Sequence, residues 1–107
     1  MLAPIGASMI VGKPEELKAK GFQNFIVFGT CGVLDRSIAV DKIILPSSAL
    51  RDEGTSYHYA PASDEISYHS ELLLTMEEAL DQAGIEHVRT KTWTTDAFYR
   101  ETAAKVK

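Results

Sequence analysis

Five residues constrain this chain more than any others: Asn24 to Phe28, a short run of Phe, Ile and Val with no polar alternation. A strand with one wet face alternates, so a uniformly apolar run of this length predicts a strand buried on both faces. That places Asn24–Phe28 as the central strand of an α/β sheet flanked by helices.

The rest of the chain reads consistently with that frame. Ala7 to Lys20 has helical character, but Gly12-Lys13-Pro14 interrupts it, and a proline cannot donate to the preceding turn, so a kink or two short helices are expected. Gly21 is its stop signal. A second strand is expected over about Asp41 to Leu50, after a turn at Asp35 to Ser37. Arg51 to Ile66 reads as an irregular loop containing Gly54 and Pro61, of a length that compact domains usually reserve for function or movement. Ser70 as an N-cap opens the clearest helix, with Leu73, Met76, Leu80 and Ala83 forming its buried stripe and Gly84 its stop. A third strand follows over about His87 to Thr94. The order helix, strand, strand, helix, strand fits one α/β layered domain over residues 1–107.

Charge and composition narrow the function classes. The 107 residues are enough for one core and too few for two. With 11 Lys and Arg against 15 Asp and Glu, the net charge is −4, which disfavours nucleic acid or an anionic membrane as partner. One cysteine, Cys31, excludes an internal disulfide, and the three histidines lack the paired spacing of a zinc site, so no metal is expected. The apolar runs are too short to span a membrane, and Met1-Leu2-Ala3-Pro4 lacks the basic start of a signal peptide; a cytoplasmic protein is expected.

In α/β sheets ligands collect beyond the carboxyl ends of strands. Two segments are expected there: Gly29-Thr30-Cys31-Gly32 after the first strand and Thr94-Thr95-Asp96-Ala97-Phe98-Tyr99 after the third. The glycines permit a turn whose amides face an anion, and Thr30 adds a hydroxyl, although such a turn after a buried strand is more often only a turn. Neither GxxxxGK[ST] nor GxGxxG occurs. Cys31 has no histidine nearby in sequence and reads as a packing residue rather than a nucleophile. Asp52 and Glu53 read as solvated loop charges, His58 as a surface or hydrogen-bonded histidine, and Phe98 and Tyr99 as core aromatics or as a surface for stacking a flat ring.

Taken together, Gly6-Ala7-Ser8, Glu15-Glu16-Leu17 with Gly21, Phe25 through Gly32, Arg51 through Tyr59 and Thr94 through Tyr99 resemble, in order, the nucleoside phosphorylases of the uridine and hexameric purine type. The resemblance implies a partial phosphorylase-type mixed sheet with flanking helices, and cleavage of the base–ribose bond of a uridine- or purine-type nucleoside by inorganic phosphate as co-substrate, with no other cofactor. It implies phosphate or ribose binding at Gly29 and Thr30, and base binding at Cys31, Gly32, Thr95 and Phe98. Nucleoside and phosphate are the implied partners, and an unfinished sheet with open strand edges is expected to form a homo-oligomer.

Three departures lower the expected activity. Val27 stands where the family commonly has a phosphate-clamping arginine, and no glutamine follows Phe98 as in uracil-specific members. The family's glycine-arginine phosphate loop and Glu-Met-Glu ribose segment find no counterpart within the chain. Weak or absent turnover by the isolated chain is therefore expected; the alternative is a non-catalytic nucleoside- or phosphate-binding or oligomerisation module from a truncated gene.

Overall fold

A computed structural model describes residues 6–38 and 41–106. Met1 to Pro4, whose lack of a basic start bears on targeting, lie outside the described residues. Among the described residues the elements run α1 (Ala7–Ala19), β1 (Ile43–Asp52), a 3-10 turn (Thr55–His58), β2 (Glu65–Ser67), α2 (Ser70–Gln82), β3 (His87–Thr95), a second 3-10 turn (Phe98–Arg100) and α3 (Ala103–Val106). They form an α/β fold with a three-stranded mixed sheet in the order β2-β1-β3, as expected for part of a phosphorylase-type fold.

The central strand is β1, not Asn24–Phe28. β1 pairs antiparallel with β2, Ser48 opposite Ser67 and Leu50 opposite Glu65, and parallel with β3, Ile43 opposite His87 through Asp52 opposite Thr95. Asn24–Phe28 has no regular structure and is exposed, with Ile26 79% and Phe28 89% accessible. Apolar character selects burial but not a partner. Here β2 and β3 occupy both edges of β1, and no backbone hydrogen bond among the described residues involves Asn24–Phe28.

β1 begins later than the sequence pattern predicts because Asp41 adopts φ 70, a left-handed conformation that cannot extend a strand. Its pairing with β3 shifts between Pro46 and Ser48, so one extra residue bulges where Pro46 has no amide to give. The bulge sets Leu45 and Ser48, three residues apart, both in buried positions.

α1 is one continuous helix through Pro14, not two short ones. A single missing amide removes one bond of the ladder while those on either side persist. At its end Gly21, at φ 99, follows the last turn; its amide bonds to the Lys18 carbonyl and that of Phe22 to Leu17, a Schellman closure. α2 ends the same way: Gly84 at φ 69 bonds to Asp81 and Ile85 to Leu80. Ser70 is the first residue of α2 rather than its cap; His69 holds the cap position, with no side-chain bond. Of the apolar stripe, Leu73 is buried, Met76 and Leu80 are half-buried, and Ala83 is exposed past the end of the helix. α2 lies against β1, where Leu45 and Leu73 are the buried apolar residues among those described.

Candidate functional site

The parallel pairing of β1 with β3 sends two loops out from the same edge of the sheet, which is where open α/β sheets place their ligands. Side chains and backbone converge there from both strands. Trp93 donates its indole N–H to Asp52 Oδ2 at 3.2 Å, and Lys105 Nζ reaches the same oxygen at 2.9 Å. The Asp96 amide bonds to the Asp52 carbonyl, and the Gly54 amide bonds back to Asp96 Oδ2 at 3.3 Å. Lys105, and after it Thr95, hold the Asp52 carboxyl below the ordinary aspartate range by donating hydrogen bonds to its charged form.

The loop after β1 is organised by Arg51, which is only 7% exposed. Its Nε donates to Ser56 Oγ at 2.8 Å, and its Nη1 donates to the Pro61 carbonyl at 2.7 Å and to Ser63 Oγ at 2.9 Å. The guanidinium also lies over the Tyr57 ring, 4.0 Å from its centroid. Glu53 accepts from the amide and the hydroxyl of Ser56. Partial burial pushes the Glu53 carboxyl up, but the bonds from Ser56 and Thr55 together with the charge of Arg51 outweigh it, and the net shift is downward. Farther down the sheet, Glu65 joins the strands: it accepts from Ser48 Oγ at 2.6 Å and from Lys91 Nζ at 2.8 Å.

The residues singled out in the sequence fall into two groups that this arrangement does not join. Thr95 ends β3 at the loop-bearing edge, where its hydroxyl accepts from the Ala97 amide at 3.2 Å. Phe98 opens the second 3-10 turn, three residues on; its side chain lies outside the described part of the structure. Tyr99 is fully exposed, not core. Gly29, Thr30, Cys31 and Gly32 lie on an exposed stretch without a turn, and neither glycine has the positive φ of a tight anion-facing bend. Cys31 is exposed rather than packed. Among the described residues no hydrogen bond links residues 29–32 to residues 94–99.

Among the described residues, surface depressions occur elsewhere. An apolar groove of about 330 Å³ runs between α1 (Ile10, Val11, Pro14), Phe25 and Tyr59. Burial, and then Glu15, push the Tyr59 hydroxyl above its usual range. The other depression, about 380 Å³, lies at the opposite end of β3 around Lys42 and His87. Neither is lined by Thr30 or Thr95. Among the described residues no group of three His, Cys, Asp or Glu side chains could hold a metal ion, and no helix is long and apolar enough to cross a membrane.

Reading the sequence alone misses Arg51, Asp52, Trp93, Asp96 and Lys105 as a cluster. Each is ordinary in its own stretch of sequence, and the signal that gathers them is the parallel register, in which Asp52 faces Thr95.

Comparison with known proteins bears on what this edge belongs to. The family model described as "Phosphorylase superfamily" matches residues 3–107. A uridine phosphorylase of Thermococcus kodakarensis is 33% identical over 85 residues, covering 79% of this chain and 31% of that protein. A guanosine phosphorylase of Halorubrum lacusprofundi is 30% identical over 91 residues, covering 81% and 36%. A DeoD-type purine nucleoside phosphorylase of Bacillus thuringiensis is 30% identical over 100 residues, covering 87% and 40%. The chain thus spans about a third of the length of the curated relatives it matches. No solved structure gives a significant match. The family match runs over nearly the whole chain and takes in both strands of the parallel pair and the loops beyond them: this chain belongs to the phosphorylase superfamily, with the nucleoside phosphorylases among its relatives.

Proposed function

We propose that the chain supplies part of a site for phosphate-dependent cleavage of a nucleoside's N-glycosidic bond. The observation that carries the reading is the family match over residues 3–107, which includes the parallel β1/β3 pair and the loops at its carboxyl edge. In this reaction an oxygen of inorganic phosphate forms a bond to ribose C1′ as the C1′–N bond breaks. The electron pair leaves with the base, which takes up a proton, and ribose 1-phosphate is released. Nothing in those steps requires a cofactor. Rate enhancement comes from holding phosphate, sugar and base in line and from stabilising the charge that develops between them.

Within that reading, Gly29 and Thr30 bind phosphate or ribose, and Cys31, Gly32, Thr95 and Phe98 border the base. The relatives are named for uridine, guanosine and purine nucleosides, so the proposal stays with the nucleoside class and does not select a base. The exposed, open course of Gly29–Gly32, the absence of a hydrogen bond joining it to Thr95 among the described residues and the presence of Val27 in place of a clamping cation support weak turnover by the isolated chain. Removing one preorganised electrostatic partner typically costs about a hundredfold to a thousandfold in rate.

The test is to incubate the purified chain with uridine, guanosine, inosine or adenosine and phosphate, and to measure free base and ribose 1-phosphate. Slow, phosphate-dependent release that Thr30→Ala reduces further is the expected result. The absence of both release and phosphate-dependent nucleoside binding would sink the reading for this chain.

A further inference from the structure

Asp52 and Thr95 stand opposite each other at the last rung of the parallel β1/β3 pair. Partners in a sheet register share a face, and alternation puts Trp93, two residues before Thr95, on that face as well. The Trp93 indole N–H on Asp52 Oδ2, at 3.2 Å, agrees with this placement, and Lys105 Nζ approaches the same oxygen from α3 at 2.9 Å. Arg51 and Glu53 flank Asp52 in sequence, and Asp96 bonds to its carbonyl through a backbone amide. Among these groups the Thr95 hydroxyl is the uncharged one at the loop-bearing edge, and it too hydrogen-bonds the Asp52 carboxyl.

The direction of that bond follows from charge. At neutral pH an aspartate is ionised and has no proton to give, so the proton between the two belongs to Thr95. Thr95 Oγ1 also accepts the Ala97 amide at 3.2 Å. A hydroxyl has a single proton and a pair of acceptor sites. With the proton on Asp52 and one acceptor site on Ala97, a half-buried Thr95 has one lone pair left for a ligand and nothing to donate. A threonine with no carboxylate behind it turns its hydroxyl to give or to take a hydrogen bond as the ligand requires. Asp52 removes that choice, and polarisation along the chain of bonds makes the remaining lone pair a better acceptor.

We propose that Asp52 is a positioning residue that fixes Thr95 as a hydrogen-bond acceptor, so that the base edge admitted beside Thr95 is one that offers an N–H. The choice of a base as ligand rests on the nucleoside reading above; the Asp52–Thr95 arrangement does not. The ring N–H of uracil, hypoxanthine or guanine and the amino group of adenine satisfy the requirement. A base carbonyl or an unprotonated ring nitrogen in the same place sets lone pair against lone pair, and is accommodated only by breaking the bond between Thr95 and Asp52.

Titration of the Asp52 carboxyl by nuclear magnetic resonance tests the arrangement with no ligand present. Thr95→Val, which keeps the shape and removes the hydroxyl, should raise the Asp52 midpoint toward the ordinary aspartate value, and Thr95→Ser should restore it. Trp93, the one tryptophan of the chain, gives a second readout: its emission should follow the same titration and lose it in Asp52→Asn. The ligand half is tested by binding uridine and inosine, with phosphate present, against 3-methyluridine and 1-methylinosine, whose ring N–H is blocked. Methylation should weaken binding about tenfold more in the wild type than in Thr95→Val. Asp52→Ala should narrow that difference, because the freed hydroxyl then donates to a base oxygen. An Asp52 midpoint unmoved by Thr95→Val overturns the arrangement, and equal losses on methylation with and without the Thr95 hydroxyl overturn the N–H preference. No binding of either parent nucleoside, with the midpoints moving as expected, overturns the ligand half together with the nucleoside reading and leaves the Asp52–Thr95 arrangement standing.

Discussion

β1 and the stretch Phe22–Leu34 contain similar apolar residues, yet they behave oppositely. β1 has a strand on each side, a helix against it and Leu45 buried. Phe22–Leu34 has neither regular structure nor a buried residue. The difference lies in what surrounds each rather than in intrinsic preference: β1 is held by Trp93 and Lys105 on Asp52, by Ser48 and Lys91 on Glu65, and by the Arg51 network at its end. Apolar residues gain by leaving water only when another surface can receive them, and backbone groups follow only if they find partners.

The strongest way to break the contrast is at the core. Leu45→Ala removes one of the two buried apolar side chains described and should cost about 2–5 kcal/mol, a large part of the stability of a chain this size. Urea unfolding should show the midpoint collapsing; an unchanged midpoint would mean that the sheet does not hold the fold together.

Acid sharpens the contrast more gently. Asp52 and Glu65 have depressed pKa values in the fold, chiefly through Lys105 and Lys91 respectively. Their stabilisation is therefore fully present above the ordinary carboxylate range and is lost as pH falls through their lowered folded values. Phe22–Leu34 contains no Asp or Glu, so none of the loss arises there. Melting temperature should hold from neutral pH down to about 5 and then decline below about 4, and Asp52→Asn should flatten part of that decline. A melting curve equally acid-sensitive in Asp52→Asn would remove Asp52 from the account.

The smallest effect is expected in the open segment. Ile26→Ser at high dilution should change stability by no more than about 0.5 kcal/mol, because the wild-type side chain is already in water. A loss comparable to that of Leu45→Ala would show that Ile26 is buried in the dilute protein.

The same contrast explains what could be read from the sequence. Gly21, Gly84 and the Leu73 stripe are local signals, and they mark where both long helices end and which face α2 buries. The α/β class follows from the alternation of such elements. Strand partnership is not local. The uniform apolarity of Asn24–Phe28 announces a need for cover without naming what provides it, and Glu65–Ser67, three residues inside an apparent loop, becomes a strand only because β1 presents an edge to it. Asp52 and Glu53 read as solvated charges for the same reason: Trp93 and Lys105, which engage Asp52, lie far away in sequence, and Ser56, which engages Glu53, is itself held by Arg51 within a folded loop. The residues assigned through family resemblance were readable as segments, whereas their mutual placement depends on which strands lie side by side.

One consequence of the strand order concerns time. β1 and β2 leave the ribosome close together, but β3 is the last of the three strands of this sheet to be made, with all of α2 between. At synthesis rates of about 5–20 residues per second, roughly one to six seconds separate the completion of β2 from that of β3. Throughout that interval the strand destined for the middle of the sheet is itself an edge, with its Ile43–Asp52 flank open to whatever extended chain lies nearest, including the earlier-made Asn24–Phe28. The nascent chain therefore passes through a stage in which an apolar segment is already available to that flank before β3 has been made.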